Sequence, residues 1–150
     1  MMALRRTTML AAAVGVLGAI VIPSWTADAQ SLKIRQRMAA ETRDLAQDTE
    51  RTNRTCETAL SVSFDWSNAP EDLTSFSAES YCNAALQAIR RVCGDQIGRD
   101  AVKKRIKSVT CGFAKARTID LNDAGTLDYK INFSSVNDTD FVYEFLQNKL

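Results

Sequence analysis

Four cysteines are the residues of this chain whose type and number most directly predict chemistry. They are Cys56, Cys82, Cys93 and Cys111, an even set in a short chain whose first residues are typical of an export signal, as described below. In exported small proteins, an even cysteine count indicates disulfides. No two of them have the Cys-x-x-Cys spacing that lowers the thiol pKa in dithiol oxidoreductases. The sequence therefore predicts two structural disulfides.

The spacing of the cysteines excludes one of the three possible pairings. Apolar residues recur at helical intervals over 77–92, so Cys82 and Cys93 belong to one predicted helix. A rise of about 1.5 Å per residue separates them by about 16 Å, whereas the Cα atoms of a disulfide lie within about 7 Å. Two pairings remain, Cys56–Cys82 with Cys93–Cys111 and Cys56–Cys93 with Cys82–Cys111. We favour the second, because the chain should reverse between a strand that begins at Cys56 and the helix that ends at Cys93.

Catalytic residues are harder to find, because the chain contains no histidine. That excludes Ser-His-Asp and Cys-His centres and histidine-containing zinc sites. The remaining catalytic hypothesis is a carboxylate pair, Asp65 with Glu71 or Asp72, close to Trp66 and Tyr81. Such a pair would suit glycan hydrolysis if one carboxyl had a raised pKa. We assign no catalytic residue, cofactor or metal ligand from the sequence.

A cluster of positive side chains is the clearest charge feature. Residues 95–106 form a predicted amphipathic helix with Ile97 on its inward face. Arg99, Lys103, Lys104 and Lys107 lie on its outer face or at its end. Cations near a helix C-terminus complement the helix dipole, so a solvated face is the simplest interpretation. The alternative is a docking surface for an acidic protein or an anionic envelope polymer. We call these four residues the basic surface.

The N-terminal residues predict export. Arg5 and Arg6 precede an apolar run over 10–22, and Ala27-Asp28-Ala29 is typical of a cleavage site. A membrane helix needs about 20 apolar residues, and this run is shorter and ends at Pro23. We therefore expect residues 1–29 to be a cleaved signal peptide and residues 30–150 to form one domain in the bacterial periplasm or outside the cell. No membrane span is expected after cleavage.

The net charge of the expected mature chain also bears on its partners. Removal of Arg5, Arg6 and Asp28 leaves 17 basic and 17 acidic residues. A net charge of zero gives no reason to expect attraction to nucleic acid or to a membrane surface.

Five further segments have clear local patterns. Residues 31–54 lack glycine and proline and predict a polar helix with a narrow apolar face. Residues 56–66 alternate apolar and polar side chains, which indicates a strand. Residues 109–121 and 126–133 predict a hairpin across a turn at Asn122-Asp123-Ala124-Gly125. Residues 139–148 predict a last helix.

Together these elements predict an α+β fold. We expect a small three-stranded antiparallel sheet with helices packed mainly on one face and two disulfides that join helix to sheet. Within 109–121, Lys115 and Arg117 fall at positions that the alternation assigns to the core. A bulge near Gly112, or a strand end beyond the core, would account for them.

The functional hypothesis is an exported, disulfide-stabilised module that binds a protein or an anionic envelope polymer and is not an enzyme. The alternatives are an envelope glycan hydrolase using the carboxylate pair and a small-ligand carrier. The carrier ranks last, because no surplus of small inward residues would leave a cavity. The sequence does not identify the partner or the oligomeric state.

Overall fold

The computed structural model describes residues 32–69, 77–132, 134, 136 and 138–150. The predicted signal peptide and the acids Glu71 and Asp72 lie outside these residues. The described elements, in chain order, are α1 (Leu32–Cys56), β1 (Ser61–Asp65), α2 (Ala78–Val92), α3 (Gln96–Arg105), β2 (Ser108–Phe113), β3 (Thr118–Leu121), β4 (Thr126–Ile131) and α4 (Asp138–Lys149). Of the helices in these ranges, none has the length and apolar character that a bilayer crossing requires.

Helix α1 matches the predicted polar helix but extends to Cys56. It ends there because Glu57 adopts a left-handed backbone conformation, with φ of 49°. The prediction that Cys56 begins a strand is therefore wrong, and β1 is confined to Ser61–Asp65. Cys56 and Leu60 are four residues apart, a spacing that fits the period of a helix as well as that of a strand.

The sheet has four strands in the order β1-β2-β4-β3. Strands β1 and β2 are parallel, β2 and β4 are parallel, and β3 is antiparallel to β4. The α+β class and the two disulfides are as predicted, but the sheet is mixed and four-stranded rather than antiparallel and three-stranded. A parallel pair needs a long crossover, and α2 and α3 provide it between β1 and β2.

The extra strand arises where the predicted strand over 109–121 divides. Residues 114–117 leave the sheet, with Ala114 and Lys115 exposed, so β2 and β3 are separate strands. The predicted hairpin exists, but it joins β3 to β4, and β4 lies between β3 and β2. Its turn needs glycine at position 125, where φ is 84° and an added Cβ would lie 2.9 Å from the carbonyl oxygen of Arg105.

Helix α2 covers the buried face of the sheet. Its Leu86 and Ile89 belong to one buried cluster with Leu127, Tyr129 and Ile131 of β4. The alternation predicted for β4 is thus present, and its intervening residues are only half-buried. Helix α2 also contacts α1 and α4, so the helices form a layer over the sheet.

Helix α3 contributes less to the core than its pattern suggests. Val102 is its buried residue, and Ile106 just after it is also buried. Ile97, which the amphipathic pattern places inward, is 82% exposed. That prediction is wrong, because only the last turn of this short helix reaches the core.

The two disulfides are Cys56–Cys93 and Cys82–Cys111, with Cα–Cα distances of 5.2 and 5.7 Å. This is the pairing that chain reversal favours. Cys82–Cys111 joins α2 to β2, as expected for a link between helix and sheet. Cys56–Cys93 instead joins the C-terminal ends of α1 and α2, because Cys56 belongs to a helix.

Candidate functional site

Strand β1 lies at one edge of the sheet, and part of its backbone faces away from β2. The N–H of Ser61 donates to the carbonyl of Lys107 at 3.2 Å. With the register of the parallel pair, this directs the N–H and C=O groups of the odd-numbered β1 residues toward β2. The N–H and C=O groups of Val62 and Phe64 therefore point outward. Within the described ranges, no group forms a hydrogen bond with them.

At the residue just before β1, a side chain already forms hydrogen bonds with the backbone groups of the same edge. Asn53 of α1 donates from Nδ2 to the carbonyl of Leu60 at 3.0 Å, and its Oδ1 accepts from the N–H of Leu60 at 3.0 Å. The amide group thus makes the two hydrogen bonds that a neighbouring strand would make. Leu60, Val62 and Phe64 alternate along one edge, so the same hydrogen-bonding pattern continues at the next two positions, where no described residue pairs with it.

A groove runs beside this edge, between β1 and α1, with a volume of about 300 Å³. Its described lining is apolar or neutral and consists of Thr42, Leu45, Ala46, Val62, Ser63, Phe64 and Trp66. The three α1 residues fall at helical intervals and so share one face. We call this feature the α1–β1 groove.

Aromatic side chains form one end of the α1–β1 groove. The ring centroids of Phe64 and Trp66 are 4.6 Å apart, and Phe64 meets Phe113 edge-on at 5.1 Å. Ile34 and Met38 of α1 pack against the same cluster. Clustered rings of this kind give a large contact area in a fixed position.

The structure brings the basic surface to one side of α3, but two of its charges are paired. Lys103 Nζ lies 2.9 Å and Arg99 Nε 3.8 Å from the Glu57 carboxylate. The hydrogen bond from Lys103 is the main cause that lowers the pKa of Glu57. Lys107 donates to the carbonyl of Lys103, and Lys104 is exposed. Lys104 is thus the residue of the basic surface most available to an anionic partner.

Asp65 and Trp66, which the hydrolase hypothesis places together, project to opposite faces of the sheet. The Asp65 carboxylate accepts from the N–H of Ser67 at 3.0 Å and lies 3.7 Å from Lys130 Nζ. The hydrogen bonds from Ser67, more than the charge of Lys130, lower the pKa of Asp65. A general acid needs the opposite shift. Asp65 is therefore unsuited to protonate a leaving group.

A different carboxylate pair, which the sequence reasoning missed, lies between α1 and α2. Burial, a hydrogen bond with Asp48 and the charges of Asp48, Glu41 and Asp44 raise the pKa of Glu79 to about 7. Asp48 is only 7% exposed. The available signal was the helical spacing of Glu41 and Asp48 from Leu45, which places them on the inward face of α1.

This acid cluster has a structural explanation. Glu41 accepts from the N–H of Glu79 at 2.8 Å and from the hydroxyl of Ser77 at 3.0 Å, so it satisfies the start of α2. Arg37 Nε lies 2.7 Å from the other oxygen of Glu41. The cluster docks α1 onto α2, and none of its acids lines the α1–β1 groove.

A second cleft, with a volume of about 370 Å³, lies between α2 and the start of α4. Its two carboxylates are both paired, Asp138 with Arg117 at 2.8 Å and Asp140 with Arg91 at 2.9 Å. The buried hydroxyl of Tyr129 has no hydrogen-bond partner of good geometry in the described structure. Burial first, and then the nearby Asp138 carboxylate, raise the pKa of this phenol. Among its described residues, the cleft offers no free acid pair.

Within the described residues, no three His, Cys, Asp or Glu side chains are grouped to hold a metal ion. Comparison with known proteins found no matching family model, no matching curated protein and no matching solved structure.

Proposed function

We propose that the protein is an exported, disulfide-stabilised binding module that takes its partner in the α1–β1 groove. The observation that carries the proposal is the outer edge of β1, with which no residue of the described ranges pairs, beside a groove with an uncharged described lining. Two disulfides fit an oxidising compartment, and the N-terminal residues predict export to one.

Binding is favoured over catalysis by the kind of groups that the groove presents. Catalytic sites place titratable side chains with shifted pKa values in a cleft, whereas this groove offers apolar contact and backbone hydrogen bonds. Glu79 has the raised pKa of an acid catalyst, but it lies in the α1–α2 interface. The carboxylates of the second cleft are held by Arg91 and Arg117.

The basic surface supplies a second candidate, in which an anionic envelope polymer or an acidic protein binds around Lys104. A specific observation supports it. Lys104, Arg105 and Lys107 line a cleft of about 240 Å³ with the β3–β4 turn. The same cleft also contains Asp123, however, which offsets part of the positive charge. We therefore rank it second.

One experiment separates the two surfaces. Peptides selected by display on the oxidised protein are titrated against three variants, Ala46→Arg in the groove, Gln47→Arg beside it on α1, and Lys104→Glu on the basic surface. Ala46 and Gln47 are both exposed, so an arginine at either position is compatible with the helix.

The proposal predicts that Ala46→Arg weakens binding about tenfold or more, because the long side chain fills the groove. Gln47→Arg and Lys104→Glu should bind like the unmodified protein. If Lys104→Glu lost affinity while Ala46→Arg bound fully, the binding site would be assigned to the basic surface and not to the groove. Equal binding by all three variants would reject both surfaces.

A further inference from the structure

We infer that the partner of the α1–β1 groove is an extended, uncharged peptide segment, which adds to β1 as a further strand of the sheet. The inference rests on the proposed function and specifies the conformation and chemistry of the partner. Proteins with an open sheet edge beside a helix can bind peptides in this way, with main-chain hydrogen bonds for affinity and pockets for alternate side chains.

The first argument comes from the backbone of β1. Val62 and Phe64 each direct one donor and one acceptor outward, at the spacing of alternate strand residues. An extended chain presents complementary groups at that spacing, whereas a helix satisfies its own backbone groups internally. Asn53 already forms such a pair of bonds at Leu60 on the same edge.

The second argument comes from the side chains. Successive residues of an added strand would point alternately to the two faces of the sheet. On the helical side they would meet Leu45, Val62 and Phe64 in the groove. On the other side they would lie next to Ser63, which is exposed. The described groove lining carries no charge, so the matching segment alternates apolar residues with small neutral polar ones.

The probes are blocked peptides of about seven residues in which valine or leucine alternates with threonine or serine. Binding to the oxidised, ¹⁵N-labelled protein is followed by NMR. We expect amide exchange at Val62 and Phe64 to slow about tenfold when the site is saturated. Exchange at Ser61 and Ser63, whose amides face β2, should change less.

A scan of N-methylated peptides provides the matched control. Methylation of the peptide nitrogens that face β1 should weaken binding about tenfold or more, and methylation of the intervening nitrogens should have little effect. The Val62→Pro variant removes the outward N–H and leaves the bonds to β2 intact. It should weaken binding by a similar factor, and circular dichroism would confirm that it folds.

The possible failures are distinguishable. Peptides that perturb Leu45 and Ala46 without the alternating N-methyl pattern would overturn strand addition while the groove remained the binding site. Protection of Val62 and Phe64 without peptide, in a dimer seen by sedimentation, would assign the edge to a second copy of the chain. Peptides that bind Ala46→Arg as tightly as the unmodified protein would overturn the proposed function itself.

Discussion

Glu79 is a residue at which burial and neighbouring negative charges both disfavour the ionised carboxylate. Burial is the largest cause of its raised pKa, followed by the hydrogen bond with Asp48 and the charges of Asp48, Glu41 and Asp44. The folded protein therefore holds a proton on Glu79 at pH values where the unfolded chain has released it. By linkage, this group lowers the stability of the fold as the pH rises from about 4.5 to about 7.

The Glu79→Gln variant tests this at the same scale. Glutamine cannot ionise, so the variant should lack this pH dependence. Relative to it, the unmodified protein should lose about 1 kcal/mol of unfolding free energy between about pH 5 and pH 8, a small value because Glu79 is partly exposed. Urea denaturation at both pH values measures the difference. Glu144→Gln, on the exposed side of α4, is the control and should keep the pH dependence of the unmodified protein. Parallel pH profiles of the unfolding free energy for Glu79→Gln and the unmodified protein would contradict the prediction.

Some residue-scale features could be predicted from the sequence and others could not. The excluded Cys82–Cys93 pair depends only on helix length, which is a local property. The helical spacing from Leu45 was a signal that Glu41 and Asp48 face inward, but polar residues at those positions resemble a solvated face in sequence. That they meet α2 depends on nonlocal packing. The pairing of Arg99 and Lys103 with Glu57 was missed for a related reason, because Glu57 is far from them in the chain.

At the scale of elements, local patterns predicted the helices and strands but not which elements lie next to each other in space. The absence of glycine and proline favoured the helix α1, although it did not fix its end, and the alternation of β4 followed from burial of one sheet face. The order β1-β2-β4-β3 depends on nonlocal pairing, since β2 pairs with β4 and not with β3, the next strand in the sequence. The α1–β1 groove depends on β1 being an edge strand, so no local pattern could reveal it.

Asn53 connects α1 to the start of β1, and a single substitution tests this connection. Its two hydrogen bonds to Leu60 fix the start of β1 against α1. Asn53→Ala should lower the unfolding free energy by about 1–3 kcal/mol, because it leaves a half-buried donor and acceptor unpaired. Thermal and urea denaturation measure the loss. Gln47→Ala, at an exposed α1 position, should change stability by less than about 0.5 kcal/mol, and an equal effect of both substitutions would contradict the assigned role.

At the scale of the whole molecule, the two disulfides overlap along the chain. Cys82 lies inside the segment closed by Cys56–Cys93, and Cys93 lies inside the segment closed by Cys82–Cys111. One bond joins the ends of α1 and α2, and the other joins α2 to the second strand of the sheet. Helix α2 is therefore held both to the helix on one wall of the groove and to the strand beside β1. We therefore expect the position of the groove to depend on oxidation of the protein.

Removing each disulfide by paired substitution tests this dependence. The bonds span 37 and 29 residues, and the chain-entropy model assigns each about 4 kcal/mol of stabilisation. Cys56→Ala with Cys93→Ala, and Cys82→Ala with Cys111→Ala, should each lower the unfolding free energy by about 3–4 kcal/mol in urea denaturation. Each pair should also weaken peptide binding to the α1–β1 groove.

The unmodified protein treated with reductant is the control, and it should be less stable than either variant because it loses both bonds. If the reduced protein unfolded at the same urea concentration as the oxidised one, the disulfides would not stabilise the fold, and the argument for an oxidising compartment would lose its structural support.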